Sequence, residues 1–429
     1  MFKLPEAPTD RRRHRRTRPG LGLTFQDSLL RRVHGWYPYV EGFSADYVEE
    51  QVLARQGGRI GTVYDPFGGS GTAQLVAACM GIPSFYSEIN PLMTFVAETK
   101  VTSASWCRRN MHIVQEVVSE YLTALSSDEF AEQAHEVNLS DYHQAFPGRD
   151  FFEQHHLKEL LACRDVAAEM AGDKPHLLAV LTLACVANAV GASNMTRRAD
   201  LRRRRQDEYK DRVVDVRSMV ANSVRQMTDD ISYLPEAMAP CHLVSEDCRE
   251  LNDTERWAEA FDFGITSPPY LNGTNYFRNT KIELWLMGMI AGEQDLAQYR
   301  ARAITAGINN VSGKVKHQYE IPEAESVAVQ LDSRAKDRRI PEMVRRYFSD
   351  MTDMFISIHS CLRPGADFVV DIGDSRFYGV HVPTDRILAR VGIEAGFELS
   401  SRRVIAERRS RDKTPLSQVE LTFRKPQVK

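Results

Sequence analysis

The feature that most constrains the fold is a glycine-rich turn at residues 65–72, which read Asp-Pro-Phe-Gly-Gly-Ser-Gly-Thr. A short apolar run ending at Tyr64 precedes this glycine turn, and a helical pattern closed by Gly81 follows it. Residues 82–89 then return to a strand pattern that ends in Glu88. Strand, helix and strand within about thirty residues predict a parallel βαβ unit, and therefore an α/β chain with a doubly wound sheet.

The glycine turn is also a candidate ligand site. Gly68, Gly69 and Gly71 allow close approach of a ligand to the backbone, and the following helix offers free N–H groups to an anion. The turn lacks the Gly-Lys-Ser/Thr of a Walker loop and the spacing of G-x-G-x-x-G. Glu88 stands where doubly wound folds place an acid on ribose hydroxyls. A purely structural turn and an exposed strand-end carboxylate are the alternatives.

A second candidate site is the Ser-Pro-Pro-Tyr segment, residues 267–270, which together with Thr266 directly follows an apolar strand pattern at 261–265. Two prolines remove backbone donors and hold the chain rigid and extended, so the carbonyls of Ser267 and Pro268 lack a ladder partner. Tyr270 adds a flat ring beside these acceptors. Acceptors beside a stacking ring suit a planar base with an exocyclic amine, whereas the alternative is a simple strand-ending turn.

Together the two segments resemble the amino-group DNA methyltransferases, and the Ser-Pro-Pro-Tyr form resembles their cytosine-N4 branch. Adenine-N6 enzymes usually carry Asp or Asn at the position of Ser267. The resemblance implies a Rossmann-like doubly wound methyltransferase sheet, S-adenosylmethionine as cofactor and a flipped-out cytosine in double-stranded DNA as substrate. It implies that Ser267 and Pro268 accept hydrogen bonds from the amine, that Tyr270 stacks on the base, and that Pro269 completes the catalytic segment. No metal is implied.

The resemblance extends to the cofactor-binding segments. Residues 34–44 are similar to the segment that lines the methionine end of the cofactor, residues 88–91 to the ribose segment, and residues 245–249 to the segment whose Asp contacts the adenine amine. Residues 362–365 and 370–375 resemble later sheet segments. The cofactor-binding residues implied are Tyr39, Phe43, Ser44, Asp65, Phe67, Gly68, Gly69, Ser70, Gly71, Thr72, Glu88, Asp247, Cys248 and Thr266.

The domain organisation follows from the gap between these segments, because about 150 residues separate Glu88 from Asp247. We predict a catalytic domain formed by residues 25–105, 241–295 and 345–429. Residues 106–240 are a helical insertion and a candidate target-recognition region, with helices at 111–125, 154–171, 176–191 and 207–231 and no strand. Residues 296–344 form a polar loop or small subdomain, and residues 1–24 form a basic flexible tail.

Charge clustering favours nucleic acid as a partner even though the net charge is −3. Clustered cations favour phosphate binding, and solvated faces are the alternative. The clusters are Arg197, Arg198 and Arg202 to Arg205; Arg334, Lys336, Arg338, Arg339, Arg345 and Arg346; and Arg402, Arg403, Arg408, Arg409, Arg411 and Lys413. The basic tail is either disordered or a phosphate-binding arm.

Composition excludes several classes of protein. With 43% hydrophobic and 26% charged residues, the chain is not disordered, collagenous or coiled-coil. Seven scattered cysteines without C-x-x-C spacing argue against a disulfide framework or structural zinc, and favour a cytoplasmic setting. The apolar stretch at 177–192 is too short to span a bilayer, so we predict a buried helix and no membrane. The pair His155-His156 fits a structural helix feature better than a metal site.

The sequence is therefore compatible with three functions. The first is a cytosine-N4 DNA methyltransferase of restriction–modification or defence type, with a cognate endonuclease or defence-system protein as partner. The second is adenine-N6 DNA methylation or RNA base methylation by the same fold. The third is a non-catalytic DNA-binding relative, against which the intact glycine turn and Ser-Pro-Pro-Tyr segment argue.

Overall fold

The computed structural model describes residues 28–39, 42–55, 60–197, 200–251, 254–271, 276–311, 318–409 and 414–427. The predicted basic tail at 1–24 lies outside the described residues, as do Arg198, Arg411 and Lys413.

A seven-stranded sheet forms the centre of the molecule, in the order β10-β11-β7-β6-β1-β2-β5. Its strands are β1 (Val63–Asp65), β2 (Ser84–Ser87), β5 (Cys241–Ser245), β6 (Phe261–Thr266), β7 (Leu362–Gly373), β10 (Glu398–Arg409) and β11 (Pro415–Arg424). β1 pairs in parallel with β2 and β6, β2 with β5, and β6 with β7, whereas β11 is antiparallel to both β7 and β10. The chain winds outward from β1 in both directions, which confirms the predicted Rossmann-like, doubly wound α/β class.

Helices cover and extend this sheet. They are α1 (Ala45–Leu53), α2 (Thr72–Cys79), α3 (Pro91–Glu98), α4 (Ala104–Arg109), α5 (Met111–Leu125), α6 (Asp128–Glu136), α7 (Ser140–Ala145), α8 (Gln154–Ala171), α9 (Pro175–Ala192), α10 (Val216–Ser232), α11 (Thr254–Trp257), α12 (Tyr276–Asn279), α13 (Lys281–Leu286), α14 (Leu296–Arg302), α15 (Pro322–Asp332), α16 (Arg339–Cys361) and α17 (Thr384–Glu394). Between α3 and α4 the chain forms one π-helical stretch, Thr99–Ser103. Two small antiparallel pairs, β3 (Met195–Arg197) with β4 (Leu201–Arg203) and β8 (Ser375–Phe377) with β9 (Val380–Val382), complete the architecture.

The region predicted as a helical insertion is mostly helical, and its centre is the apolar helix α9. The expectation that this stretch is too short to span a bilayer is wrong, because α9 is long and apolar enough by length and composition. The prediction of a buried helix is confirmed, since α9 packs between α8 and α10 inside the protein. The expectation that the region contains no strand is wrong, because β3 and β4 form a hairpin there. Each strand has three residues, too few for a visible alternation. The predicted helix at 207–231 begins later, at Val216, where Asp215 accepts a hydrogen bond from the Ser218 backbone N–H.

Two further boundaries differ from expectation. The polar stretch at 296–344 contains α14 and α15 rather than only irregular chain, and Pro322 starts α15 at a position where its missing N–H costs nothing. β7 begins at Leu362 instead of 368, with an irregular register opposite β6 that accommodates Pro364 and Gly365. A proline and a glycine in sequence predict a turn. Here they lie at a register irregularity, and the chain continues in the sheet.

Candidate active site

A cavity of about 320 Å³ opens where the parallel strands β1, β2, β5 and β6 end. In doubly wound sheets ligands bind at the carboxyl ends of the strands, and this volume is of the size that small-molecule sites have. Most of the residues predicted for cofactor binding and catalysis line it together. They are Tyr39, Phe43, Asp65, Phe67, Gly68, Gly69, Ser70, Thr72, Glu88, Asp247, Cys248, Ser267, Pro268, Pro269 and Tyr270.

The other three predicted residues stand behind this lining. Ser44 caps α1 and accepts a hydrogen bond from the Tyr47 backbone N–H at 3.2 Å. Gly71 has φ 82°, and a Cβ there would lie 2.9 Å from Ala97, so only glycine fits this close helix contact. Thr266 is buried and donates its hydroxyl to Asp65 Oδ1 at 2.7 Å, which ties the end of β6 to the end of β1.

Short-range backbone contacts hold the glycine turn in shape. Gly68 N–H donates to the Ser87 carbonyl and Gly71 N–H to the Gly68 carbonyl, each at 2.9 Å. A Cβ on Gly68 would lie 2.6 Å from the Tyr86 ring, so the backbone packs directly on β2. The turn is therefore specified by residues that are close in sequence.

Lys100 links the glycine turn to the segment that precedes it. Its buried ammonium donates to the carbonyls of His34 and Ser70, each at 3.0 Å. Burial lowers the pKa of Lys100 to about 7. Sequence reasoning missed this residue, because a lysine within a helical run normally lies at the surface.

Two carboxylates at the strand ends have raised pKa values. Glu88 accepts hydrogen bonds from the backbone N–H groups of Gly69 and Asn90, each at 2.8 Å. Burial raises the pKa of Glu88 to about 7, although these hydrogen bonds act to lower it. Asp65 accepts from Thr266 and from the Phe67 N–H at 3.0 Å, and burial raises its pKa to about 7 as well. Titratable carboxylates beside a cavity are typical of functional sites.

Asp247 lines the cavity and forms an ion pair with Arg249. Arg249 donates to both of its oxygens, with an Nη2–Oδ2 distance of 2.7 Å, and also donates to Asp350 at 3.0 Å. The carboxylate is thereby held at the end of β5 beside Cys248. A contact of Asp247 with an adenine amine stays a prediction.

The Ser-Pro-Pro-Tyr segment is supported by strands far away in sequence. The Tyr270 hydroxyl donates to Asp371 Oδ1 at 3.1 Å, and Gln418 Nε2 donates to both Asp371 oxygens at 2.8 Å. Asp371 is 2% exposed, and Gln418 lines the cavity. Sequence reasoning did not single out these two residues, although a carboxylate inside the apolar run at 368–372 was a usable signal.

A buried ion pair brings the hairpin β3–β4 to the cavity. Arg197 donates to Glu283 Oε1 at 2.6 Å and to the Asn279 carbonyl at 2.8 Å, and it lines the cavity. The Tyr37 hydroxyl donates to the same Glu283 oxygen at 3.0 Å. Glu283 was missed because it reads as a surface position of an amphipathic helix, whereas it is 0% exposed.

Many of the clustered arginines predicted to bind phosphate are paired with carboxylates. The pairs are Arg202 with Glu208, Arg339 with Asp337, Arg345 with Glu325 and Asp332, Arg346 with Glu342, Arg402 with Asp385, and Arg403 with Glu420. Their positive charge is largely compensated within the protein. The clustered arginines and lysines that are not paired with a carboxylate are therefore the ones left available to bind phosphate.

Comparison with known proteins identifies distant relatives. The chain is 20% identical over 403 residues to the Type II methyltransferase M.AvaI of Nostoc sp. (strain PCC 7120) and of Anabaena variabilis, covering 88% of this chain and 81% of theirs. It is 21% identical over 427 residues to the Type II methyltransferase M.BsoBI of Geobacillus stearothermophilus, with the same coverages. No family model matches the chain. The distant relatives are thus Type II methyltransferases, in agreement with an amino-methyltransferase resemblance.

Solved structures give weaker similarities. The rRNA methyltransferase aviRa of Streptomyces viridochromogenes is 12% identical with a TM-score of 0.30, over 90% of this chain and 87% of that one. A SAM-dependent methyltransferase of Methanosarcina mazei is 10% identical with a TM-score of 0.30, over 86% and 93%. The fold assignment rests on the strand order given above.

Proposed function

We propose that this protein is an S-adenosylmethionine-dependent DNA methyltransferase that modifies the exocyclic N4 of a flipped-out cytosine. The observation that carries the proposal is the convergence of the glycine turn and the Ser-Pro-Pro-Tyr segment on one cavity, although about 195 residues separate them in sequence. The distant relatives, which are named Type II methyltransferases, support a restriction–modification setting.

The cavity residues fit S-adenosylmethionine. Glu88 offers carboxylate oxygens where ribose hydroxyls would lie, and the glycine turn leaves room for the ligand against the backbone. Tyr39 and Phe43 border the same space from the segment that the resemblance assigns to the methionine end. When bound, the cofactor supplies an electrophilic methyl group on a sulfonium.

The chain's own residues act on the base. The lone pair of a cytosine amine is delocalised into the ring, so the amine is a poor nucleophile until it becomes more tetrahedral. Hydrogen bonds from its two N–H groups to the Ser267 hydroxyl oxygen and the Pro268 carbonyl favour that geometry, and Tyr270 stacks on the ring. When bound, the cofactor would supply its methyl group to the amine nitrogen and keep the electron pair of the broken carbon–sulfur bond. Ser267 would accept one amine proton and pass its own hydroxyl proton to water.

The identity of residue 267 supports cytosine over adenine. In the family that the chain resembles, Ser is typical of cytosine-N4 enzymes, whereas Asp or Asn is typical of adenine-N6 enzymes. Both amines present the same two N–H donors, so the acceptor geometry serves either base. Adenine-N6 methylation is therefore the alternative that the test must separate.

The test is product analysis. Purified protein is incubated with labelled S-adenosylmethionine and unmethylated genomic DNA, the DNA is digested to nucleosides, and the product is identified by mass. We expect N4-methylcytosine. N6-methyladenine would overturn the base assignment while keeping methyl transfer, and label in RNA alone or in neither nucleic acid would overturn the proposed function.

A further inference from the structure

Arg197 is a buried cation that the helical insertion contributes to the cavity wall. It is the last residue of β3, it lines the cavity, and only 10% of its side chain is exposed. Its Nη1 donates to the Asn279 carbonyl at 2.8 Å and to Glu283 Oε1 at 2.6 Å. Both of these bonds use Nη1, and a guanidinium also carries N–H donors on Nε and Nη2, which remain for another acceptor.

Glu283 holds the guanidinium in place and leaves room for a second carboxylate. Glu283 is buried and also accepts a hydrogen bond from the Tyr37 hydroxyl at 3.0 Å, so two donors fix its position. An arginine that bridges two carboxylates occurs elsewhere in this protein, where Arg249 donates to two aspartates. Arg197 can therefore bind a ligand carboxylate with the donors that Glu283 does not occupy.

Hydrogen bonds connect Arg197 to the carboxylate proposed to bind the ribose. The Asn279 carbonyl that Arg197 contacts is followed in the chain by Thr280, whose hydroxyl oxygen accepts a hydrogen bond from Asn90 Nδ2 at 3.2 Å. The Asn90 backbone N–H donates in turn to Glu88 at 2.8 Å. Arg197 thus lies on the side of the cavity where the cofactor is expected.

The segment that the resemblance assigns to the methionine end lies beside the same cation. The guanidinium carbon of Arg197 is 5.6 Å from the centre of the Tyr37 ring. Two residues further on, Tyr39 lines the cavity, and its ring lies 3.5 Å from the position that a Cβ on Gly69 would take. Arg197 is therefore a neighbour of the segment that borders the methionine end of the cavity.

We propose that Arg197 binds the carboxylate of the methionine part of S-adenosylmethionine, so that the helical insertion completes the cofactor site. Guanidinium and carboxylate groups match in geometry and charge, and their hydrogen bonds are strong. The inference rests on the proposed function, because it assigns a further residue to the cofactor in the same cavity. A phosphate of the DNA backbone is the other candidate anion, but the burial of Arg197 favours a ligand that lies inside the cavity.

The test compares S-adenosylmethionine with its decarboxylated analogue, which lacks only the carboxylate. Dissociation constants for both ligands are measured by calorimetry on the full chain. Charge-assisted hydrogen bonds should make the wild-type protein bind S-adenosylmethionine about 10- to 100-fold more tightly than the analogue. Equal or tighter binding of the analogue would overturn the inference, whereas binding of neither ligand would overturn the proposed function.

Variants assign this preference to Arg197. Arg197→Met/Glu283→Gln removes the cation together with its carboxylate, so the net charge is kept and no unpaired charge is buried. This double variant should bind the two ligands within about threefold of each other, whereas Glu283→Gln alone, which keeps the cation, should retain the preference. The matched control is Arg202→Met/Glu208→Gln, an ion pair that begins on the neighbouring strand β4 and lies outside the cavity wall.

Two results with the variants would contradict the assignment. A wild-type preference in Arg197→Met/Glu283→Gln would overturn it, and a loss of DNA affinity in that variant would then assign Arg197 to a phosphate. A lost preference in the control pair would also overturn it, because the effect would not be specific to Arg197.

Hydrogen exchange tests the inference without any substitution. In the wild-type protein, S-adenosylmethionine should slow amide exchange in the β3–β4 hairpin more than the decarboxylated analogue does, when both ligands are saturating. Equal protection by the two ligands would overturn the contact between the hairpin and the carboxylate.

Discussion

The two sides of the cavity are built in different ways. The glycine-turn side is held by neighbours in sequence, since Gly68 bonds to Ser87 and Glu88 bonds back to Gly69. The Ser-Pro-Pro-Tyr side is held by side chains from remote elements, since Tyr270 relies on Asp371 and on Gln418. The comparison teaches that the glycine-turn side is held mainly within one βαβ unit, with Thr266 and Lys100 as ties to other elements. The Ser-Pro-Pro-Tyr side depends on strands β7 and β11, so it forms only when the sheet has assembled.

The largest expected effect separates chemistry from cofactor binding. Ser267→Ala removes an acceptor for the amine and Tyr270→Ala removes the stacking ring, so each should lower the methyl-transfer rate by about 10²-fold or more. Affinity for S-adenosylmethionine should stay within a few-fold, because the glycine-turn side is untouched. Single-turnover rates and calorimetric binding measure the two quantities. Ser401→Ala, at an exposed position of β10, is the control; near-normal rates in both site variants would refute the catalytic assignment.

The next effect concerns stability on the target side. Arg197→Ala leaves the fully buried carboxylate of Glu283 without its cation, which should lower the free energy of unfolding by about 3–5 kcal/mol. Arg403→Ala removes a half-exposed partner of Glu420, which keeps other donors, and should cost less than about 1 kcal/mol. Urea denaturation distinguishes them; equal losses would show that the hairpin is not anchored through Glu283.

A smaller effect is expected on the cofactor side as a function of pH. Because the pKa of Glu88 is raised to about 7, its ionised fraction grows between pH 6 and pH 8. Cofactor affinity should therefore strengthen by up to about 10-fold over that range. For the ligand-free protein the sign is opposite: the raised pKa favours folding below the unfolded value near 4.5, and that contribution is lost as the pH rises through about 7.

Glu88→Gln is the variant that checks this assignment. It should bind the cofactor more weakly at pH 8 and remove most of the pH dependence. Any dependence that remains would belong to Asp65 or Lys100, whose pKa values are also about 7. An unchanged pH profile in Glu88→Gln would exclude Glu88 as the titrating group.

The smallest effect tests the support of Tyr270. Tyr270→Phe removes the hydroxyl donor and Asp371→Ala removes its acceptor, and each should lower the transfer rate several-fold without changing cofactor affinity. If Asp371 acts through Tyr270, the double variant should be no slower than the slower single variant, with a coupling energy of about 1 kcal/mol. Additive losses would show that Asp371 has a separate role.

Sequence patterns predicted the elements that are long or locally encoded. The βαβ unit was found because Gly71 and Glu88 lie within one supersecondary motif, and α5, α8 and α9 were found because their apolar residues repeat over several turns. The hairpin β3–β4 was missed because three-residue strands carry no readable period. Arg197 appeared only as a member of a charge cluster, since nothing in the neighbouring residues indicates its pairing with Glu283.

The sequence by itself determined the doubly wound class, the glycine turn and the rigid Ser-Pro-Pro-Tyr segment, because backbone chemistry of glycine and proline acts over a few residues. Only the tertiary structure decided which arginines are compensated, which carboxylates are buried, and that Asp371 and Gln418 support Tyr270. These properties depend on distances between residues that are far apart in the chain. The energies of charge pairing and of desolvation change when groups move by a few ångströms. The order of residues in the sequence does not specify such distances.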